Sequence, residues 1–192
     1  MRDDPFDEFT IWFEQASAQE SADPDAVALA TSSSDGRPAV RMVLVRGYDT
    51  RGFVFYTNLG SRKAHELKVV PYGAMCFHWK STTRQIRIEG EVVQVDEAEA
   101  DAYFESRPRE SQIGAWASKQ SQALEGRLTL ERRVAKYAAS FGIGKVPRPA
   151  FWSGFRLIPD SFEFWDKRPF RLHERTLYTR VSDGWALKKL YP

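Results

Sequence analysis

The run from residue 26 to residue 58 constrains the fold of this 192-residue chain more than any other feature. It reads AVALATSSSDGRPAVRMVLVRGYDTRGFVFYTN, so apolar, β-branched and aromatic residues form three segments. Asp35-Gly36 and the stretch from Asp49 to Gly52 separate these segments with residues typical of tight turns. Strands joined by such short turns pair antiparallel. The run therefore predicts an antiparallel meander.

Two further strands are predicted after a short helix. SRKAHELKVV reads as the helix, with Ser61 as its N-cap and Pro71 as its stop, and GAMCFHWK and RQIRIEGEVVQV read as the strands. Ile86 and Ile88 alternate strictly in the second strand, but the apolar phase slips after Gly90. A β-bulge at this glycine would explain the slip.

Three more helices are indicated by capping signals and by apolar residues at helical spacing. Asp4 and Pro5 start the first helix, and Asp96 with Glu99 gives a capping-box-like start to the second. Gly142 would end the third helix. The apolar residues that define the first helix are Phe6, Phe9, Trp12, Phe13 and Ala16. Those of the third are Leu124, Leu128, Val134, Tyr137 and Phe141.

Strand patterning returns in the last forty or so residues, with a hairpin turn at Asp183-Gly184. Strands come first, helices are inserted and strands return, which predicts the α+β class with an antiparallel sheet. Because six to eight strands must hide their edges, a split or closed β-barrel is the expected architecture. No repeat or linker divides residues 1–192, so we expect a single domain.

Several function classes are disfavoured by composition. Cys76 is the one cysteine, so an intrachain disulfide is excluded and a reducing, cytoplasmic setting is expected. His65, His78 and His173 are far apart and lack an HExxH pattern, so no metal is expected. The N-terminus is acidic, which is not typical of a signal peptide. A membrane span is not expected either, because no run of ~20 apolar residues occurs. The net charge is +2 and no continuous basic stripe is present, which argues against nucleic-acid binding.

Arginine-rich segments are the candidate sites, because no GxGxxG or P-loop motif is present. In RMVLVR, the strand period of two places Arg41 on the face opposite Arg46, with Met42 and Leu44 on the side of Arg46. Either these are solvated strand ends, or each arginine faces a different anionic group.

The segment YTNLGSRK places Tyr56 and Thr57 at the end of a strand, and Ser61, Arg62 and Lys63 at the start of the following helix. Free amides, the helix dipole and two cations converge there, which favours a phosphate site. A plain exposed turn is the alternative.

Two later segments carry further cations. RPRESQIGAWASKQS has Trp116 as its one large side chain, and its alternative is a polar surface helix; its candidate residues are Arg107, Arg109, Ser111, Gln120 and Ser121. In RLHER, Arg171, His173 and Arg175 alternate and would share one strand face, where they repel one another unless an anion lies between them. A solvated edge strand is the alternative there, and Trp165 would lie either in the core or against a planar ring. Together the segments suggest that the protein binds two phosphorylated aromatic molecules.

These segments, in this order, resemble the pyridoxamine 5'-phosphate oxidase family over nearly the whole chain. The most diagnostic are RMVLVR, FVFYTNLGSRK, RQIRIEG, YFESRPRESQIGAWASKQS, EFW and RLHER. The resemblance implies a homodimer with flavin mononucleotide (FMN) at the interface. It also implies hydride transfer from the substrate C4' to flavin N5 and reoxidation by oxygen to hydrogen peroxide, so that pyridoxamine or pyridoxine 5'-phosphate becomes pyridoxal 5'-phosphate.

The resemblance also implies site residues. The FMN contacts would be Arg41, Met42, Val43, Leu44, Tyr56, Thr57, Arg62, Lys63, Gln85, Gln120, Ser121, Trp165 and Arg175. The substrate contacts would be Arg46, Tyr103, Arg107, Ser111, Arg171 and His173. Of these, Arg171 and His173 would lie against the pyridine ring and are the candidate catalytic residues.

Two departures from the family pattern concern the substrate. Position 46 is arginine where the family usually has lysine, and a planar guanidinium is not a point charge. Ahead of Asp4 the chain offers only Met1, Arg2 and Asp3, so any lid is expected to come from elsewhere. The alternatives are a related flavin oxidase acting on another aromatic substrate, such as a phenazine precursor, and a non-catalytic flavin- or pyridoxal phosphate-binding module.

Overall fold

The structure is a computed structural model that describes residues 3–20 and 22–192. Met1 and Arg2, which bear on the expectation about a lid, and Ser21, in the predicted polar link, lie outside the described residues.

The strands form one antiparallel sheet that closes on itself. In the described part of the chain they are β1 (Ala26–Ser32), β2 (Pro38–Asp49), β3 (Gly52–Asn58), β4 (Tyr72–Trp79), β5 (Arg84–Gln94), β6 (Trp152–Asp166), β7 (Glu174–Val181) and β8 (Gly184–Leu190). Their order is β3-β2-β1-β4-β5-β6-β7-β8, and an additional pairing of β3 with β6 closes the first six of these into a barrel. The strands β7 and β8 extend the sheet beyond β6. The predicted antiparallel barrel is confirmed.

The helices in the described part of the chain are α1 (Pro5–Gln19), α2 (Arg62–Val69), α3 (Glu97–Ser106), α4 (Arg109–Ala117) and α5 (Thr129–Phe141), and a 3-10 turn covers Pro169–Arg171. Helix α1 precedes the first strand, α2 lies between β3 and β4, and three helices lie between β5 and β6, one of which, α4, the sequence analysis does not predict. The predicted caps of α1 and α3 are present, because carboxylate oxygens of Asp4 and Asp96 accept hydrogen bonds from backbone amides of the first turns. Each described helix is too short or too polar to cross a bilayer.

Helix α1 packs its apolar face into the barrel core. Phe9 is fully buried, and its ring meets Phe53 and Phe77 edge to face at centroid distances of 4.8 and 5.3 Å. Phe6 and Trp12 are buried on the same face. This packing, rather than intrinsic helix propensity, stabilises α1.

The predicted bulge in β5 is confirmed. The β5–β6 register shifts between Glu89 and Gly90. The backbone of β6 approaches so closely here that a Cβ on Gly90 would lie 1.9 Å from the carbonyl oxygen of Ile158. Only glycine fits this position without moving one of the two strands.

The third predicted helix starts later than expected. Helix α5 begins at Thr129, so the expectation that Leu124 and Leu128 lie within it is wrong. The segment before α5 is held instead by side-chain contacts to α2 and β3, made by Gln120 and Ser121. Between these residues and α5 the backbone forms turns, in one of which the amide of Thr129 donates to the carbonyl oxygen of Gly126 at 3.1 Å.

The expectation that Arg171, His173 and Arg175 share one strand face is also wrong. Arg171 closes the 3-10 turn, His173 lies between elements, and β7 begins only at Glu174. Phe170 and Arg171 have φ angles of 56° and 62°, in the left-handed region, which breaks the extended alternation.

Replacing Gly90 by alanine is expected to lower the free energy of unfolding by about 1–3 kcal/mol, because an added methyl group overpacks the β5–β6 contact. Gly47→Ala is the matched control, since a Cβ at this strand position meets nothing within 4 Å. Urea unfolding measures both variants. Equal stability of the two would contradict the close approach at Gly90.

Candidate functional site

A cavity of about 770 Å³ lies where β2, β3, α2, α3 and α4 meet. It brings together eleven of the predicted site residues: Met42, Val43, Leu44, Arg46, Tyr56, Thr57, Lys63, Tyr103, Arg107, Ser111 and Gln120. The sequence distributes these residues over nearly eighty positions, and the barrel gathers them on one surface. We call this space the first cavity.

Arg107 is an incompletely paired cation of the first cavity. Its Nη1 atom is buried and has no hydrogen-bond partner among the described residues. Its guanidinium lies over the ring of Trp152, with Cζ 4.8 Å from the centroid. Burial lowers the pKa of Arg107, and the nearby charge of Arg46 lowers it further. A buried donor without a partner carries a desolvation cost that an anionic ligand would remove.

Stacked aromatic rings form the wall beneath Arg107. Tyr103 stacks on Tyr56 at a centroid distance of 3.8 Å, and Tyr56 stacks on Trp152 at 5.4 Å. Burial raises the pKa of Tyr56 to about 12, with a contribution from Glu99, so its hydroxyl stays protonated at neutral pH. Trp152 is a cavity residue that the sequence reasoning missed, since a buried tryptophan is ordinarily read as core.

Lys63 is the second notable cation of the first cavity. The residue is buried, and its Nζ donates to Thr57 Oγ1 at 3.0 Å, to Gln120 Oε1 at 3.1 Å and to Ser61 Oγ at 3.4 Å. All three partners are neutral. Burial lowers the pKa of Lys63, and Arg41 lowers it further. A buried ammonium with only neutral partners at a helix N-terminus provides the charge and the donors of a phosphate site.

Arg41 and Arg62 both contact Glu66, which lies on the same helix as Lys63. Arg62 Nε lies 2.7 Å from Oε1 of this carboxylate, and Arg41 Nη2 lies 3.2 Å from Oε2. Burial acts to raise the pKa of Glu66, but hydrogen bonds from Thr31 and Arg62 and the arginine charges outweigh it, so the net shift is downward. The backbone amide of Arg62 donates to Ser121 Oγ at 3.2 Å. The sequence reasoning missed Glu66, which reads as an ordinary polar helix position.

The two arginines of RMVLVR do face different anionic groups. Arg41 pairs with Glu66, and Arg46 Nη1 lies 2.9 Å from Asp25 Oδ2. Both anions are carboxylates of the chain itself. Arg46 lines the first cavity as well, and so do Met42, Val43 and Leu44, so the cavity lining does not follow the strict alternation of a regular strand.

The remaining predicted residues lie at or beside a second cavity of about 740 Å³, which shares no lining residue with the first. Trp165, Arg171 and His173 line it, and the rings of Trp165 and His173 are 4.6 Å apart. Gln85 and Arg175 are the strand neighbours of Trp165. Arg175 Nε donates to Glu163 at 2.8 Å. Within one chain, the predicted site residues therefore lie at two separate cavities.

The chemistry of the two cavities is cationic and aromatic. The described residues contain no group of three or more histidine, cysteine, aspartate or glutamate side chains that could hold a metal ion. The donors present are guanidinium, ammonium, hydroxyl and amide groups, which suit phosphate esters and planar rings.

A family model described as "Pyridoxamine 5'-phosphate oxidase" matches residues 13–141. The chain belongs to the pyridoxamine 5'-phosphate oxidase family. A second model, for the pyridoxine 5'-phosphate oxidase C-terminal dimerisation region, matches residues 152–192. The family and the oxidoreductase class predicted from the sequence are confirmed.

Relatives named pyridoxine/pyridoxamine 5'-phosphate oxidase are similar over almost their whole length. The protein from Rhodospirillum rubrum is 55% identical over 194 residues, covering 98% of this chain and 96% of its own. The protein from Caulobacter vibrioides is 55% identical over 190 residues, which cover 99% of this chain and 86% of the Caulobacter protein.

Solved structures share the fold. PhzG from Burkholderia lata 383, in complex with tetrahydrophenazine-1-carboxylic acid, is 34% identical with a TM-score of 0.94, covering 100% of this chain and 94% of that one. A pyridoxamine 5'-phosphate oxidase-related, FMN binding protein from Nostoc punctiforme has a TM-score of 0.78 at 18% identity. The match covers 96% of this chain and 95% of the Nostoc protein. The latter similarity shows the fold alone.

Lys63→Met is expected to weaken the binding of inorganic phosphate by about 10- to 100-fold, because a hydrogen bond to a charged group contributes roughly 1.5–3 kcal/mol. Titration calorimetry of the ligand-free protein measures this affinity. Lys68→Met, an exposed position on the same helix, is the matched control and should bind phosphate as the wild type does. Unchanged affinity in Lys63→Met would refute the phosphate assignment.

Proposed function

We propose that this protein uses FMN to oxidise pyridoxamine 5'-phosphate or pyridoxine 5'-phosphate to pyridoxal 5'-phosphate, with oxygen as electron acceptor and hydrogen peroxide as product. The observation that carries the proposal is the pair of incompletely neutralised cations in one cavity, Lys63 with only neutral partners and Arg107 with an unpartnered donor. Two separate phosphate groups on ring compounds fit these two centres. The 55% identical relatives named for this oxidation support the same substrate class.

FMN would occupy the part of the first cavity that adjoins α2. Lys63, Thr57 and the amides at the start of α2 would hold its phosphate, with Arg41 and Arg62 contributing positive charge. The β2 strand from Met42 to Leu44 would lie along the ring system. The fit rests on the buried Nζ of Lys63, whose neutral hydrogen-bond partners leave its charge to an anion. When bound, FMN supplies the redox chemistry by accepting hydride from the substrate C4' and passing electrons to oxygen.

The substrate phosphate would lie between Arg107 and Arg46. Arg107 offers its buried free donor, and Tyr103 and Ser111 offer hydroxyl groups in the same cavity. Tyr103 is also held in place by its stacking on Tyr56. These residues bind and orient the phosphate end, which leaves the pyridine ring to reach toward the flavin.

Residues at the second cavity would complete the site in a homodimer. Arg171 and His173, our candidate catalytic residues, lie in a separate cavity within one chain, so a second copy must bring them to the substrate ring. Trp165 and Arg175 would reach FMN in the same way, together with Gln85. The match of residues 152–192 to a dimerisation region supports this arrangement, because it contains four of these five residues. We also propose a cytoplasmic location, since the single cysteine needs no oxidising compartment.

An oxidase of phenazine precursors is the second candidate. The similarity to PhzG bound to tetrahydrophenazine-1-carboxylic acid favours it. The higher identity of the vitamin B6 oxidases and the substrate-phosphate centre at Arg107 favour the first candidate. A non-catalytic flavin- or pyridoxal phosphate-binding module is the third.

Turnover by the purified wild-type protein separates these candidates. We expect a yellow preparation that releases FMN, sediments at twice the chain mass of 22.0 kDa, and forms peroxide with pyridoxamine or pyridoxine 5'-phosphate. Turnover only with tetrahydrophenazine-1-carboxylic acid would select the second candidate, and tight binding of vitamin B6 phosphates without peroxide would select the third.

Arg107→Ala is expected to raise KM for pyridoxine 5'-phosphate by about 10- to 100-fold, because a charge-assisted contact to phosphate is lost. The affinity for FMN, measured by quenching of flavin fluorescence, should stay unchanged. Arg109→Ala is the matched control, since Arg109 is exposed and donates to the carbonyl oxygens of Gly142 and Gly144 instead. Loss of FMN binding with an unchanged KM would show that Arg107 serves the cofactor.

A further inference from the structure

We propose that Asp25 is a positioning residue that fixes the guanidinium of Arg46 against the substrate phosphate and so helps select phosphorylated substrates. This inference rests on the proposed function, because it assigns Arg46 to the substrate phosphate. Asp25 lies outside the lining of the first cavity and acts on the site through Arg46.

The backbone at Arg46 is irregular in a way that redirects its side chain. In the pairing of β2 with β3, Val45 lies opposite Phe55 and Gly47 lies opposite Val54. Arg46 therefore has no opposite residue on β3 and forms a bulge. Bulges bend a strand and change the direction of the side chain at the extra residue. Arg46 accordingly lines both the first cavity and an adjoining cavity of about 290 Å³. It stands in the wall between the two.

Asp25 is held on the far side of this wall by the backbone. The amide of Val45 donates to the carbonyl oxygen of Asp25 at 2.9 Å, which continues the β1–β2 pairing by one residue. The indole Nε1 of Trp79 donates to the carbonyl oxygen of Pro24 at 2.8 Å. Two contacts from different strands thus fix the chain next to Asp25. Its Oδ2 then accepts from Arg46 Nη1 at 2.9 Å.

The pair has a specific electrostatic task. Arg46 and Arg107 lie near enough for the charge of Arg46 to contribute to the lowered pKa of Arg107, so the two guanidinium groups repel each other before an anion binds. The Asp25 carboxylate offsets this repulsion and uses one terminal nitrogen of Arg46. The planar guanidinium keeps its Nε and its other terminal nitrogen for a phosphate. Asp25 thereby supplies orientation, whereas Arg46 and Arg107 supply the charge.

Asp25→Ala is expected to raise KM for pyridoxine 5'-phosphate by about fivefold, the scale of a partly exposed ion pair, with kcat and FMN affinity close to wild type. Asp25→Asn should restore the part of the loss that comes from orientation, because an amide oxygen can still accept from Arg46 Nη1, but not the part that comes from the missing negative charge. In an Arg46→Ala background, Asp25→Ala should have no further effect on KM. Asp35→Ala is the matched control, since it removes another Asp–Arg pair, that with Arg37 at 3.1 Å, in the β1–β2 turn.

A lower KM in both Asp25→Ala and Asp25→Asn would mean that the carboxylate competes with the substrate for Arg46, and would overturn the inference. So would a fivefold effect that persists without Arg46. Wild-type turnover tests the proposed function separately. If the wild type does not turn over, equilibrium dialysis of pyridoxal 5'-phosphate against the same variants gives the comparison, and equal affinities would refute the role of Asp25.

Discussion

The pairing of β3 with β6 is the constraint on which the rest of the molecule depends. It closes the barrel, and it sets Tyr56, Thr57 and Asn58 opposite Gly154, Ser153 and Trp152. The aromatic wall of the first cavity follows from this register. The ring of Tyr56 lies across β6 only because residue 154 has no side chain: a Cβ there would lie 2.7 Å from the Tyr56 ring. The closure of the fold and the shape of the site are therefore one feature.

Much of this architecture could be predicted from the sequence, because it depends on local patterns. The meander, the capped helix α1 and the bulge at Gly90 all follow from spacing, turns and caps. The prediction was wrong where tertiary contacts override the local pattern. The stretch before α5 reads as helix by its leucines, yet its polar residues are bound to α2. RLHER reads as strand, yet Phe170 and Arg171 adopt left-handed backbone angles.

In the candidate site, too, some residues could be predicted from the sequence and others depend on tertiary contacts. Resemblance to the family located the cations and hydroxyl groups that the first cavity gathers, since those residues occur in recognisable segments. It did not find the carboxylates that hold these cations in place. Glu66 lies on an unremarkable helix face, and Asp25 lies in a loop, so their roles depend on strand register and on which residues meet across the barrel. Trp152 was missed because a tryptophan in an apolar run gives no sign of which surface it lines.

The unneutralised ammonium of Lys63 also links the stability of the fold to the supply of its ligand. Placing this charge in the interior costs free energy that the ligand-free chain has to bear, and a phosphate bound there would remove the cost. Any ligand that binds the native state alone shifts the folding equilibrium toward it. A chain without a bound phosphate compound at Lys63 would therefore open more often than one that holds such a compound. The abundance of the folded protein would thus follow the concentration of whichever phosphate compound binds at Lys63.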